Sequence, residues 1–409
     1  MLEGYRALDL TDEKGFLCGK VLAELGVDVI KVEKPGGDPS RKVGPFWHDE
    51  KEPEKSLYWF AYNSSKRGIT LNFETEEGKS LFRDLVKSAD FVIESFAPGE
   101  LDDLGFGYSE LCRIKKDIIL TSITPFGQSG PYSKYRATDL TLMGMAGELF
   151  MTGDSDKPPV NISMPQACMH AGADAAVGSM LAHHHRRMTG EGQHVDIAMQ
   201  HSAAWFLAQT IPHWEIENLI LGRVGTFRTS SRGTLQRQVW PCKDGFIFFF
   251  MIGGQQGAKT GYQLVKLMKE EGMADEFLQH YKWEEFDMAT ATQELIDKIS
   301  RPISEFFKTR TKKEALDAAM SRNISICPLM GNRDLIEDPN LAARGFWKPI
   351  EHPELKTTIP YPRQFARSSE NEMETRSRAP LIGEHNAEVY AELGLTDRRI
   401  VELKKAGVI

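Results

Sequence analysis

Four arginines, Arg223, Arg228, Arg232 and Arg237, crowd the stretch GRVGTFRTSSRGTLQR at residues 222–237. A guanidinium is a planar fork that grips a carboxylate through paired hydrogen bonds. Such a group suits a small dicarboxylic acid. A solvated basic linker in an acidic protein would have the same composition. Residues 165–174, PQACMHAGAD, place Cys168 and His170 two positions apart. His183, His184 and His185 invite a metal reading. Three consecutive helical residues point in different directions, so they cannot share one tetrahedral ion. Followed by Arg186 and Arg187, they fit the negative end of a helix dipole instead, and no metal site is expected. The five cysteines are scattered and form no CxxC. That speaks against a zinc knuckle or a disulfide framework and fits a reducing cytoplasm.

The elements that must position these residues alternate. YRALDL (5–10), VDVIKVE (27–33), GITLNF (68–73), DFVIES (90–95) and DIILTSIT (117–124) read as strands. GFLCGKVLAEL (15–25) and a segment from Glu76 have helical spacing. This order implies a parallel sheet with helices on its faces. Ligands in such sheets sit beyond the carboxyl ends of strands, so the turns after Glu33, Ser95 and Thr124 are where binding residues belong. Residues 168–188 read as a helix buried through Met169, Val177, Met180 and Leu181, followed by the turn TGEGQ and the strand HVDIAM (194–199). The Arg-bearing stretch 222–237 reads as a loop or linker. Residues 240–330 read as a smaller α/β unit opening on the strand DGFIFFFMI (244–252). The remainder is rich in proline and ends in a helical DRRIVELKKAGVI.

The bulk properties set bounds. With 409 residues, 41% hydrophobic and 26% charged, the chain can bury a sizeable core. A net charge of −8 argues against nucleic acid as the main partner. No apolar run is long enough to span a membrane. The start, MLEGYRALDLTDEKG, lacks the basic-then-apolar order of a secretory signal. A cytoplasmic protein is expected.

Several ordered stretches resemble the class III CoA-transferases, the family of carnitine and formyl-CoA transferases and α-methylacyl-CoA racemases. They are ALDLTDEKGFLCGKVLAELGVDVIKVEKPGGDPSR, the run from NSSKRGITLNF to ESFAPGELDDLGFGY, SITPFGQSGPY, RRMTGEGQHVDIAM, DPNLAARGFW and the tail from PLIGEHNAEVY. The resemblance spans essentially the whole chain. It implies a Rossmann-like large domain built from both chain ends (1–221 and 331–409), a linker (222–239), and a small α/β domain (240–330). It also implies ring-shaped subunits interlocked as a dimer. The chemistry it implies is transfer of CoA between carboxylic acids through an enzyme-bound aspartyl or glutamyl thioester, a form of nucleophilic catalysis. No cofactor is held permanently, because the CoA thioester is itself a substrate.

The resemblance also assigns residues. Lys34 or Arg41 supplies a basic residue after the second strand, Leu71 an apolar adenine contact, Ser95 and Phe96 the N-F-x-P-G position, and Arg136 a phosphate contact. Asp103 and Thr124 stand where relatives carry basic residues. The nucleophile position, four residues before Gly172, is Cys168, so the aspartate is missing. Three explanations stay open. The chain is the non-catalytic partner of a homologous subunit that carries the aspartate, as in two-subunit benzylsuccinate CoA-transferases of anaerobic aromatic degradation. Alternatively Cys168 is itself a nucleophile in a self-sufficient homodimer, or Asp174 substitutes for the aspartate. A non-enzymatic acyl-CoA-binding scaffold is a further alternative. Thr138, standing before Asp139 where a racemase carries histidine, counts against an isomerase. His170, close to this position, is a candidate for orienting substrate.

Overall fold

A computed structural model describes residues 1–230, 233–363 and 365–409. The chain divides into two compact units. The larger comprises residues 1–149, 161–220 and 339–409, and the smaller 150–160 and 221–338.

The larger unit is built on six parallel strands: β1 (Arg6–Asp9), β2 (Asp28–Glu33), β3 (Arg67–Thr70), β4 (Phe91–Glu94), β5 (Ile119–Thr124) and β6 (His194–Ala198). Their order is β3-β2-β1-β4-β5-β6, with every pairing parallel. Side chains alternate faces along a strand. Leu8, Ile30, Ile69, Val92 and Leu120 therefore enter one core. Ala7, Val29, Phe91, Ile93 and Ile119 enter the other. A doubly covered parallel sheet requires this two-sided apolar pattern. The end of the chain returns to the first core. Val389, Tyr390, Ile400 and Leu403 are buried there, and Tyr390 Oη donates to Thr70 O at 2.7 Å.

The long helix Gln166–Thr189 buries a face opposite in character to the one expected. Ala167, Cys168, Ala171, Gly172, Ala175, Ala176, Ser179 and Ala182 point inward, while Val177 and Leu181 are 59% and 67% exposed. The physical reason is close approach to the helix Phe16–Glu24: a Cβ on Gly172 would lie 2.8 Å from Leu17 Cβ. Small residues must face that contact, so the branched ones face out. His183 is buried, with its Nδ1 3.0 Å from Arg186 Nη2, whereas His184 and His185 are exposed. The three imidazoles do not converge.

A fully buried charge cluster anchors the start of this unit. Asp9 accepts from Lys66 Nζ at 2.8 Å, and Lys31 Nζ lies 3.6 Å from the same carboxylate. Burial holds the Lys66 ammonium down to about 8 against the pull of Asp9. Gly19 is required here, because a Cβ would collide with Asp9 Oδ2.

The smaller unit holds a hairpin, β7 (Phe227–Thr229) with β8 (Leu235–Arg237), where the sequence suggested a loop. Its three-stranded antiparallel sheet has β10 (Gly245–Phe249) between β9 (Val239–Cys242) and β11 (Ile326–Pro328). Trp240, Phe249, Trp283 and Phe307 form part of its core. Back in the larger unit, β12 (Trp347–His352) and β13 (Thr357–Pro362) form an antiparallel pair. Among the described residues no helix is long and apolar enough to cross a membrane.

Candidate functional site

Strand order reverses between β1 and β4, so the loops leaving these strands diverge and open a crevice. A cavity of about 490 Å³ lies there, lined by residues that include Leu10, Lys34, Phe73, Ser95, Phe96 and Leu104. Ser95 joins the two loops: its Oγ donates to Asp12 Oδ1 at 2.9 Å and accepts the Asp12 N–H at 2.8 Å. Lys34 is an exposed rim cation, 3.4 Å from Glu74. Asp12, Asp38, Glu74 and Glu100 also border the cavity. Lys34, Ser95 and Phe96 thus line one cavity.

Two other expected contacts are corrected. Arg41 is 1% exposed. It donates to both Glu33 oxygens at 2.6 and 2.8 Å, to Glu54 at 2.8 Å and to Pro380 O at 2.9 Å. Its guanidinium also stacks 3.8 Å over Trp59. These partners engage its fork internally, leaving Lys34 as the basic group at the rim. Leu71 is fully buried in the core, because its N–H continues the β3 ladder to Glu33 O at 2.7 Å. Phe73 supplies the apolar wall instead. Arg136 is exposed and does not line the cavity, and Asp103 is exposed on the helix Glu100–Asp103.

Cys168 sits in the first turn of the helix Gln166–Thr189 and is 4% exposed. Pro165, the residue before that helix, offers no side-chain cap. Asp139 supplies one from another helix: its two oxygens accept the N–H groups of Gln166 and Cys168, each at 3.1 Å. A helix N-terminus ordinarily favours a thiolate. Here burial, followed by the carboxylates of Asp139, Glu13 and Asp12, pushes the Cys168 thiol far above its usual range. The group is a protonated thiol at neutral pH. Tyr58 belongs to the same electrostatic neighbourhood. Its buried hydroxyl has no hydrogen-bond partner among the described residues. Sequence reasoning missed both Asp139 as a cap and Tyr58.

His170 lies on the same helix, stacked on Phe206 with ring centroids 3.9 Å apart. Its Nδ1 is 3.8 Å from Glu148 Oε1. Asp174 is exposed on the outer face, turned away from the buried Cys168. This placement argues against its substituting for a residue at position 168.

In the smaller unit, Arg223 donates to Phe150 O at 2.9 Å. Arg237 lies over the rings of Phe227 and Trp240, at 4.7 and 5.9 Å. Both are engaged in local packing. Arg228 is exposed on β7, and Arg232 lies outside the described residues.

The fold is that of an α/β protein with a central parallel sheet and a crevice at its switch point. Comparison with known families narrows this: the model for CoA-transferase family III matches residues 2–386, and the chain belongs to that family. It is 34% identical over 99% of its length, and 97% of the relative's, to the succinyl-CoA:(R)-benzylsuccinate CoA-transferase subunit BbsE of Thauera aromatica. It is 32% identical to the formyl-CoA:oxalate CoA-transferase of Streptomyces avermitilis, covering 100% of this chain and 99% of that one. A crystal structure of a CAIB/BAIF family protein from Brucella suis superposes with a TM-score of 0.80 at 29% identity, covering 96% of this chain and 99% of the other.

Proposed function

We propose that this chain is the non-catalytic subunit of a heteromeric class III CoA-transferase of the succinyl-CoA:benzylsuccinate type, acting in the cytoplasm. Its partner is a homologous subunit that carries the catalytic aspartate. The complex moves CoA from a thioester such as succinyl-CoA to a small organic acid.

One observation carries this reading: where the resemblance places the nucleophile, the chain has a buried, protonated Cys168, and the adjacent Asp139 is occupied capping a helix. A nucleophile needs an activated lone pair: the Cys168 thiol keeps its proton, and both Asp139 oxygens are held by helix N–H groups, which makes them poorer nucleophiles. The strand-end cavity supports the same reading. One rim lysine faces several carboxylates, and acidic groups beside the phosphates of CoA repel them. This chain's own pocket therefore holds CoA weakly, and the partner's pocket does the turnover.

The interlocked dimer belongs to the same proposal. Trp205, Phe206, Ile211, Ile216 and Ile220 are each more than 60% exposed within one short stretch. Apolar surface of that density marks an interface, and a homologous subunit is the occupant we assign to it. For the acceptor acid, Arg228 remains the described arginine with its fork directed to no internal partner that would compete, and we assign it the distal carboxylate. The test is purification. Co-elution with an aspartate-bearing homologue supports the proposal, whereas a lone homodimer with turnover overturns it.

A further inference from the structure

Asp12 follows β1 and Ser95 follows β4, and both line the cavity of about 490 Å³ at the switch point. The Asp12 carboxylate gathers donors from both loops. Its Oδ1 accepts the Ser95 hydroxyl at 2.9 Å and the Lys14 N–H at 3.1 Å, and the Lys14 ammonium bonds to Oδ2. An ammonium, a backbone N–H and a hydroxyl meeting one anion form a donor set that suits a phosphate or a free carboxylate.

The other carboxylates bordering the cavity are engaged differently. Asp38 accepts the N–H and hydroxyl of Ser40. Glu100 accepts the Ala97 N–H at 3.1 Å. Glu74 faces Lys34 in a solvent-exposed pair. These contacts stay within one loop or on the rim, whereas Asp12 ties the β1 loop to the β4 loop. Buried groups fix the backbone that presents it. Thr11 donates its N–H and hydroxyl to Asp9 Oδ1 at 3.0 and 2.6 Å, and its carbonyl accepts from the buried Lys31 ammonium. The Asp12 N–H donates to Ser95 Oγ at 2.8 Å. The Asp12 side chain, in contrast, is half-exposed and can turn out into water.

We infer that Asp12 is a specificity-determining residue of this cavity. Its carboxylate fills, from within the chain, the anion position formed by Lys14 and Ser95, so an anionic ligand gains those donors only by displacing it. That the ligand is CoA rests on the function proposed above, whereas the competition itself does not.

Charge decides the balance. With Asp12 in place the Lys14 ammonium is already neutralised, and an incoming phosphate meets a carboxylate that repels it. A neutral side chain at position 12 would leave the ammonium without that partner and remove the repulsion. Asparagine keeps a side-chain oxygen able to accept the Lys14 N–H and the Ser95 hydroxyl. Asp12→Asn therefore preserves the turn and the link between loops while removing the charge.

The test titrates the purified chain by calorimetry at low ionic strength, with CoA and separately with inorganic pyrophosphate. Asp12→Asn should bind both about tenfold more tightly than wild type, the scale of one charge-assisted hydrogen bond regained. Adding Lys14→Met to Asp12→Asn should cancel the gain, which a general loss of negative charge would not do. A gain for neither anion overturns the inference, as does a gain that persists undiminished without the Lys14 ammonium. Asp12→Ser, neutral and shorter, is read in the same way if the asparagine variant folds poorly. A gain for pyrophosphate alone, with no CoA bound by either protein, supports the competition and counts against the CoA reading. Equal CoA binding by wild type and variant, with no gain for pyrophosphate, overturns the inference and leaves the CoA reading standing.

Discussion

Asp139 Oδ1 accepts the backbone N–H of Cys168 at 3.1 Å across 29 residues of sequence, while Oδ2 accepts that of Gln166. One carboxylate therefore caps the helix and blocks the cysteine. Removing it should act twice. Asp139→Ala should lower stability by about 1–2 kcal/mol, the usual cost of a lost helix cap, measured by urea denaturation. It should also bring the Cys168 thiol down towards its ordinary range, read as faster reaction with a thiol reagent at pH 8. An unchanged thiol rate would show that burial alone silences Cys168.

Cys168→Ala should leave turnover of the reconstituted complex within a few-fold of wild type, because a protonated thiol takes no part in transfer. A loss of about 10³-fold or more, the scale of deleting a nucleophile, would make the cysteine catalytic.

Arg41 and Glu33 are buried together, so breaking the pair leaves an unpaired charge in the interior. Arg41→Ala should cost about 3–5 kcal/mol of stability. Chemical denaturation reads this directly. A stable Arg41→Ala protein with selectively weakened CoA binding would restore the phosphate role expected from sequence.

Glu94 makes a signed contribution to stability. Its folded pKa, about 7, lies above its ordinary value of 4.5. The folded state therefore binds the proton more tightly, and the contribution is fully present below pH 4.5. It declines as pH rises from 4.5 to about 7 and is flat beyond. The shift corresponds to roughly 3 kcal/mol. The stability difference between wild type and Glu94→Gln should change by that order between pH 4 and pH 8, and a constant difference would contradict the burial of a titrating carboxyl.

The strands of the larger unit were legible because alternation and turn residues are local signals. The first strand was expected at 5–10 and forms at Arg6–Asp9. The helix after Pro165 was equally visible, but not its buried face. Val177 and Leu181 look like core residues until the Gly172 contact with Leu17 shows that only small side chains fit beneath. Arg41 failed for a different reason. Its partners include Pro380 O, 339 residues away, and no local pattern encodes that bond. Asp139 as a cap is likewise a product of topology, invisible until its helix is placed beside the one it caps.

The most direct measurement is CoA transfer from succinyl-CoA to an aryl-succinate, by this chain alone and with an aspartate-bearing homologous subunit. The account predicts no transfer by the chain alone. With the partner it predicts turnover that survives Cys168→Ala and Asp139→Asn here and is abolished when the partner's aspartate is removed. Turnover by the chain alone, lost on Cys168→Ala or Asp139→Asn, would contradict it and place the nucleophile in this subunit.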